Sequence, residues 1–280
     1  MNHRLDQFAA LVPSFSLAAL LAFAGCSNDT PPIATLPAVA KTEAPSEAPG
    51  ESDAIKPTTK ADKEKVTPES ADVERLIDDA QKAVEAEDFV AAIQLTSDYI
   101  RLAQSPKNQA RGYAARAIAR MKIRDPQSAI QDYTDCLQLQ PEASEIRLMR
   151  ATCYLNEGYL ESAVADLTEI ARREPEHRKA YLVRSAAYLK LNQFEMAIKD
   201  ATRALELAPN EPQAYMTRGG AYLSLKQYET AITDLTAGLN LKPGNASMFH
   251  QLRGMAYEQL GRRLEAATDF TAAESSKVWR

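Results

Sequence analysis

The sequence contains few of the residues that build catalytic or metal sites, with three cysteines, three histidines and one tryptophan in 280 residues. Three cysteines are too few for a disulfide framework. The histidines, His3, His177 and His250, have no second ligand four residues away, so we expect no zinc site. The ten glycines form no phosphate-binding loop, and no G-x-S-x-G motif occurs. The sequence therefore predicts a non-catalytic protein that needs neither metal nor cofactor.

Charge and hydrophobicity exclude two further classes of protein. The formal net charge is -5 at pH 7, whereas a nucleic-acid-binding face must be basic to neutralise phosphates. Beyond the N-terminal region the sequence has no run of about 20 apolar residues, which is the length that a transmembrane helix needs. We therefore expect no nucleic-acid partner and no membrane-spanning segment in that part of the chain.

Residues 1–26 are predicted to be an export signal. Arg4 supplies a positive charge, and an uncharged, mostly apolar stretch runs from Phe8 to Phe23. Two cleavage patterns overlap at its end. Ala22-x-Ala24 precedes cleavage to a soluble protein, whereas Ala24-Gly25-Cys26 resembles the lipoprotein pattern, in which Cys26 becomes a lipid-bearing N-terminus. An uncleaved anchor is a third alternative, but the apolar stretch is short for one.

Residues 27–70 are predicted to be a disordered tether. They hold seven of the 15 prolines and no phenylalanine, tyrosine or tryptophan, so they cannot bury enough apolar surface to offset the entropy cost of ordering. A tether gives reach to an anchored domain but nothing to a soluble one, so we favour lipidation of Cys26. Ser27 resembles the choice that sorts lipoproteins to the outer membrane. The expected location is the cell envelope, on the periplasmic face of the outer membrane in a Gram-negative cell.

From residue 71 onward the sequence repeats with a period of 34 residues. Between the marker residues, apolar positions follow helical spacing in two runs, separated by turn-like tripeptides such as Leu191-Asn192-Gln193. Because proline cannot continue a helix, each repeating proline is expected to end one helix–turn–helix unit. The markers are Pro141, Pro175, Pro209 and Pro243, each preceded by Ala129, Ala163, Ala197 or Ala231.

A helix–turn–helix period of this length, with these residue types, resembles the tetratricopeptide repeat family. The resemblance implies an all-α fold, a right-handed superhelical solenoid of antiparallel helix pairs over residues 71–280, with a concave groove for protein or peptide partners. Two units carry the matching residues Tyr181, Ser185, Tyr188, Ala197, Ala204 and Pro209, and Tyr215, Gly219, Tyr222, Ala231, Gly238 and Pro243. The units are 73–106, which is degenerate, 110–143, 144–177, 178–211, 212–246 and 247–280.

Arginine and aspartate recur in step in five of these units. An arginine on a helix-packing face needs a partner, and the aspartate on the second helix of the unit can supply one. We therefore predict a structural ladder of ion pairs, with a row of anion-binding sites as the alternative. The predicted pairs are Arg116–Asp132, Arg150–Asp166, Arg184–Asp200, Arg218–Asp234 and Arg253–Asp269.

The predicted partner-binding residues lie on the first helix of each unit. Helical geometry turns them away from the positions that pack on the second helix, so they are expected to face the groove. Methionine adapts its shape easily and suits apolar or helical peptides. Alternatively, some groove positions are partly core. The predicted groove residues are Met121, Leu148, Met149, Thr152, Lys179, Leu182, Met216, Met248 and Met255.

These observations together predict an interaction scaffold that a lipid holds to the membrane and that binds proteins in its groove. A soluble exported adaptor or chaperone-like binder is the alternative, and an enzyme with a repeat shell is the least favoured. Cys136 and Cys153 are expected to be packed thiols, with a disulfide between them as the minor alternative.

Overall fold

The computed structural model describes residues 68–275, with side chains from residue 71 onward. The predicted signal, Cys26 and the tether up to residue 67 lie outside the described residues. Within 68–275 the chain forms twelve α-helices and no strand, which confirms the all-α prediction. The helices are α1 (Pro68–Glu85), α2 (Phe89–Leu102), α3 (Pro106–Lys122), α4 (Pro126–Leu139), α5 (Ser144–Glu157), α6 (Leu160–Arg173), α7 (Arg178–Lys190), α8 (Phe194–Leu207), α9 (Pro212–Ser224), α10 (Tyr228–Asn240), α11 (Ala246–Gln259) and α12 (Arg263–Ser275).

Consecutive helices form antiparallel pairs, in which each odd-numbered helix packs on the even-numbered helix that follows it. The pairs belong to two compact units, one with helices α1–α4 and one with helices α5–α12. In the second unit, the first helices of consecutive pairs also contact one another, from α5 through α7 and α9 to α11. The four first helices therefore line one face of that unit.

Two helix starts differ from the predicted boundaries. Helix α1 begins at Pro68, so residues 68–70 are helical and the predicted tether must end before them. Helix α3 begins at Pro106, ahead of the predicted unit start at 110. The cause at α3 is local, because the Ser105 side chain accepts a hydrogen bond from the Asn108 N–H at 3.1 Å and proline fits the first helical position.

Each pair is closed by a short turn in which one residue adopts a left-handed backbone conformation. Its φ angle lies between +59° and +83°. In the predicted turn tripeptide, the Gln193 N–H then donates to the Tyr188 carbonyl at 2.9 Å, which closes the end of α7. The six left-handed residues are Glu87, Arg124, Gly158, Asn192, Lys226 and Gly261.

The repeating prolines lie between the pairs, as predicted. Pro141, Pro175 and Pro209 each come two residues after a helix end. The residue before each has an extended φ angle between -127° and -148°, which is the conformation that a following proline imposes. The repeating alanines lie on the second helices and are fully buried, since Ala129, Ala163, Ala197 and Ala231 are all 0% exposed.

Candidate functional site

Five ion pairs join the two helices within each pair from α3/α4 to α11/α12. In every case the arginine on the first helix donates two parallel hydrogen bonds to one aspartate on the second helix. The Nε and Nη2 atoms lie 2.6–3.1 Å from the carboxylate oxygens. The predicted pairing is therefore confirmed for Arg116–Asp132, Arg150–Asp166, Arg184–Asp200, Arg218–Asp234 and Arg253–Asp269.

These pairs are almost fully removed from water. The aspartate side chains are at most 9% exposed and the arginine side chains 13–19% exposed. Burial alone raises the pKa of Asp269, but hydrogen bonds from Arg253 and His250 outweigh it and the net shift of that pKa is downward. The hydrogen bonds that Arg253 donates to Asp269 raise the pKa of Arg253 above its usual value. Both members of the Arg253–Asp269 pair therefore stay charged near neutral pH.

Sequence reasoning missed a row of hydroxyl groups that completes the ladder. Four of the arginines donate a third hydrogen bond, from Nη1, to a serine or threonine on the second helix of the preceding pair. The distances are 2.9–3.1 Å. The sequence does contain the signal, because a threonine stands two residues after Asp166, Asp200 and Asp234. The hydroxyl acceptors are Ser97, Thr168, Thr202 and Thr236, which accept from Arg116, Arg184, Arg218 and Arg253.

The third bond gives the ladder a structural role between pairs as well as within them. Each of these guanidinium groups also lies over a tyrosine ring, with Arg253 5.9 Å from the centroid of Tyr257 and Arg218 5.7 Å from that of Tyr215. A carboxylate, a hydroxyl and an aromatic ring thus occupy the arginine head group. This saturation favours the structural interpretation over a row of anion-binding sites.

The predicted groove residues divide into two sets. Six are accessible on the first helices: Lys179 is exposed, and Met121, Met149, Thr152, Met248 and Met255 are half-buried. The other three have core side chains, because Leu148, Leu182 and Met216 are 8%, 2% and 0% exposed. For these three the prediction is wrong, and a partner cannot reach them without repacking the unit.

Packing between neighbouring pairs explains this correction. Leu182 lies in a cluster with Ala204 and Leu205 of its own second helix and with Ala214 of the next first helix. A helical wheel drawn for one helix considers only its packing against the other helix of the same pair. The side that carries Leu182 also faces the following pair, so its burial is a property of the stack.

Side-chain size varies along the first helices of α5–α12. One repeat position is occupied by Thr152 on α5, Ala186 on α7, Gly220 on α9 and Met255 on α11. The two central helices therefore carry the small residues at this position. The alternative that groove positions are partly core is thus confirmed at Ala186, which is 3% exposed. Half-buried Met149, Met248 and Met255 lie on the same first helices.

Two polar groups on this face lack the partners that burial normally demands. The Asn156 Oδ1 atom is buried and accepts no hydrogen bond. Burial lowers the pKa of Lys190, which has no carboxylate partner among residues 71–275. Both residues occupy the same repeat position, the last turns of α5 and α7. Only the half-buried Lys190 is within reach of an acceptor on a ligand.

The remaining candidate chemistry has little support in the part of the chain that the structure describes. No group of three or more histidine, cysteine, aspartate or glutamate residues there could hold a metal ion. Cys136 and Cys153 are both buried and form no disulfide, so the disulfide alternative is not realised. Burial raises the pKa of Cys136 to about 12, which leaves it unreactive. None of the helices in 68–275 combines the length and the hydrophobicity that crossing a membrane requires.

Residues 114–178 and 182–246 match the family model described as tetratricopeptide repeat. These stretches cover helix pairs whose period, turns and buried alanines are those described above. The repeating helix pairs of this region are therefore similar to tetratricopeptide repeats.

Solved structures agree on the fold. A tetratricopeptide repeat protein from Parabacteroides merdae has a TM-score of 0.67 and 19% identity, over 74% of this chain and 80% of that one. MamA from Desulfovibrio magneticus has a TM-score of 0.57 and 21% identity, over 62% and 97% of the two chains. A further MamA structure is 25% identical, with a TM-score of 0.54 over 60% and 91%. No curated protein matches the sequence.

Proposed function

We propose that this chain is a non-catalytic scaffold that binds a protein or peptide partner on the face of the first helices of α5–α12. The observation that carries the proposal is the set of half-buried methionines Met149, Met248 and Met255 on the first helices, which line one face of this unit. Adaptable and partly accessible apolar side chains suit an apolar side chain of a partner. The half-buried Lys190 adds a positive charge on α7.

A site-specific crosslinking experiment tests this face directly. A photoreactive amino acid replaces Thr152, which lies on the face, or Met196, which is 42% exposed on α8 and lies outside it. The full chain is irradiated in its native membranes. The proposal expects an adduct of defined mass from position 152 and none from position 196. Adducts of the same pattern from both positions, or from neither, would reject it.

A substitution series then asks whether the methionines contribute to binding. Met149→Gln combined with Met255→Gln removes apolar surface from the face, and Met196→Gln removes the same surface elsewhere. Loss of about 1 kcal/mol per methionine corresponds to a roughly thirtyfold weaker complex for the double variant. Met196→Gln should bind like the unchanged chain, and equal urea midpoints should show that all variants remain folded.

We also propose that the scaffold is anchored in the cell envelope by a lipid on Cys26, on the periplasmic face of the outer membrane in a Gram-negative cell. The support is the Ala24-Gly25-Cys26 pattern followed by a proline-rich segment suited to a tether. The alternative is a soluble exported adaptor, cut after Ala24. Mass spectrometry of the mature N-terminus separates them, because diacylglyceryl-Cys26 indicates the anchor and a free Gly25 indicates the soluble form.

A Cys26→Ser variant provides the functional check on the anchor. With lipidation at Cys26, the unchanged chain should sediment with membranes and the variant should move to the soluble fraction, since one modified residue supplies the attachment. If both forms stay with the membrane after a high-salt wash, Cys26 is not the anchor.

A further inference from the structure

An open cleft of about 640 Å³ lies between α6 and α8, away from the face of the first helices. Its floor belongs to the arginine ladder, with the Arg184–Asp200 pair flanked by Thr168, Thr202 and Tyr181. The charges of Arg184 and Asp200 cancel, so the floor is neutral. The character of the cleft is therefore set by its rim.

The rim is basic. Arg172, Lys199 and Arg203 line it, with Glu206 beside Arg203 and Glu169 paired to Arg172. Three positive charges and two negative charges give the rim a net charge of about +1, in a chain whose formal net charge is -5. Within residues 71–275, Lys199 has no hydrogen-bond or ion-pair partner. An uncompensated lysine in a cleft is available to an anion.

Each of the two rim arginines pairs with a carboxylate on its own helix, and Arg203 Nη2 also donates to the Pro175 carbonyl at 3.4 Å. Arg172 Nη2 lies 2.8 Å from Glu169 and Arg203 Nη1 lies 2.9 Å from Glu206. Both are pairs three residues apart, and the arginine side chains are 67% and 38% exposed. Solvent-exposed pairs of this kind are weak, so an incoming anion can replace these carboxylates at small cost.

The repeat supplies an internal comparison for the rim. One period later, Tyr215, Arg218, Asp234 and Thr236 rebuild the same floor between α8 and α10. At the three rim positions, however, the chain has Glu206, Thr233 and Ala237 in place of Arg172, Lys199 and Arg203. The fold therefore does not need the three cations, because the next cleft packs without them.

We propose that the cleft between α6 and α8 is a binding site for a small phosphate-bearing anion, held by Arg172, Lys199 and Arg203. Guanidinium groups bind phosphate oxygens in a bidentate manner, and a lysine adds a point charge. The ring of Tyr181 is covered by Arg184 at 5.5 Å and by Arg203 at 6.0 Å, so recognition rests on charge and not on stacking. This site is independent of the proposed protein-binding face.

Calorimetric titration of the full chain with inorganic pyrophosphate at low ionic strength tests the site. Lys199→Gln and Arg203→Gln should each weaken binding about tenfold, because each removes one charge-assisted contact. Lys107→Gln on α3 removes the same charge outside the cleft and should leave the affinity unchanged. Both lysines are exposed, so neither change threatens the fold. Absence of binding by the unchanged chain, or an equal loss with Lys107→Gln, would overturn the proposal.

An experiment with vesicles distinguishes a phosphate in a lipid headgroup from one in a free phosphate compound. The full chain is sedimented with phosphatidylglycerol vesicles and with phosphatidylcholine vesicles, so that any lipid anchor contributes equally to both. A preference for phosphatidylglycerol that Lys199→Gln abolishes and pyrophosphate competes away assigns the site to a lipid headgroup. Pyrophosphate binding without that preference assigns it to a free phosphate compound. A preference for phosphatidylglycerol that Lys199→Gln leaves intact, with no pyrophosphate binding, contradicts the site.

Discussion

The first helix pair and the five pairs that follow share one backbone plan but are held together by different interactions. In the first pair, Glu74 of α1 accepts hydrogen bonds from the Tyr99 hydroxyl at 3.3 Å and from Arg111 Nη1 at 2.7 Å. Glu74 is 44% exposed, whereas the ladder aspartates are almost fully buried. Exposed pairs contribute about 0–1 kcal/mol, while breaking a buried pair costs about 3–5 kcal/mol. The first pair should therefore open most easily.

The junctions between pairs show a second contrast. At the junction of α2 and α3, the large Tyr99 side chain packs over Gly112. A Cβ atom on Gly112 would lie 2.9 Å from the Tyr99 ring. At the junction of α10 and α11 the roles are reversed, with Phe249 packed over Gly238. Residues 99 and 238 hold the same repeat position. At these two junctions the large and the small residue have exchanged places.

The largest effect is expected from breaking the ladder. Asp234→Asn should lower the free energy of unfolding by about 3 kcal/mol, because Arg218 keeps its charge in a buried site without a counterion. Urea unfolding followed by circular dichroism measures this. Glu229→Gln, on the exposed side of the same helix, should change stability by less than about 0.5 kcal/mol. Equal effects of the two variants would refute a buried structural ladder.

Lowering the pH tests the contribution of a second ladder residue, Asp269, to stability. The folded-state pKa of Asp269 is lowered, so its contribution to stability is present above the unfolded pKa of about 3.9 and is lost as pH falls through the folded value. The stability difference between the unchanged chain and Asp269→Asn should therefore shrink as pH falls below about 4.

The next largest effect is expected at the junction of α10 and α11. Gly238→Ala should destabilise by about 1–3 kcal/mol, because the new methyl group overlaps the Phe249 ring, whose Cζ atom would lie 3.0 Å away. Gly220→Ala meets Leu189 Cδ2 at an ordinary 3.6 Å and should be neutral or stabilise by up to about 1 kcal/mol. Adding Phe249→Leu should recover part of the loss in Gly238→Ala. A loss that this second change does not reduce would place the cause elsewhere.

Removing one of the hydroxyl groups that accept hydrogen bonds from the ladder arginines should lower stability by a smaller amount. Thr236→Val deletes the acceptor that lies 2.9 Å from Arg253 Nη1 and should cost about 1 kcal/mol. Thr233→Val is the matched control, because its hydroxyl bonds only to the Glu229 carbonyl of its own helix. Thermal unfolding of both variants measures the difference. Identical melting temperatures would show that the third bond does not contribute to stability.

The smallest effect is expected in the first pair. Glu74→Gln should lower stability by less than about 1 kcal/mol, and the loss should fade in high salt because the pair is exposed. Hydrogen exchange should show amides of α1 and α2 opening before those of α7 and α8 in the unchanged chain. If α1 and α2 exchange as slowly as α7 and α8, the contrast between the two kinds of pair does not hold.

The sequence by itself determined the helix pairs and the ladder. Prolines and alanines at a fixed period mark where helices end and where they approach, and both effects act over a few residues. Arg184 and Asp200 are 16 residues apart, on opposite arms of one helical hairpin. Once the hairpin forms they must meet, so the spacing alone predicts the contact.

Only the tertiary structure decided which surfaces remain open. Leu182 and Met216 share a helix face with accessible residues but are buried by the next pair. The hydroxyl row and the cleft between α6 and α8 likewise join side chains from neighbouring pairs. The period of the sequence predicts which residues each helix pair contains. The exposure of their side chains depends on how closely successive pairs stack. That distance is set by the packing of side chains of different sizes, such as Gly238 against Phe249.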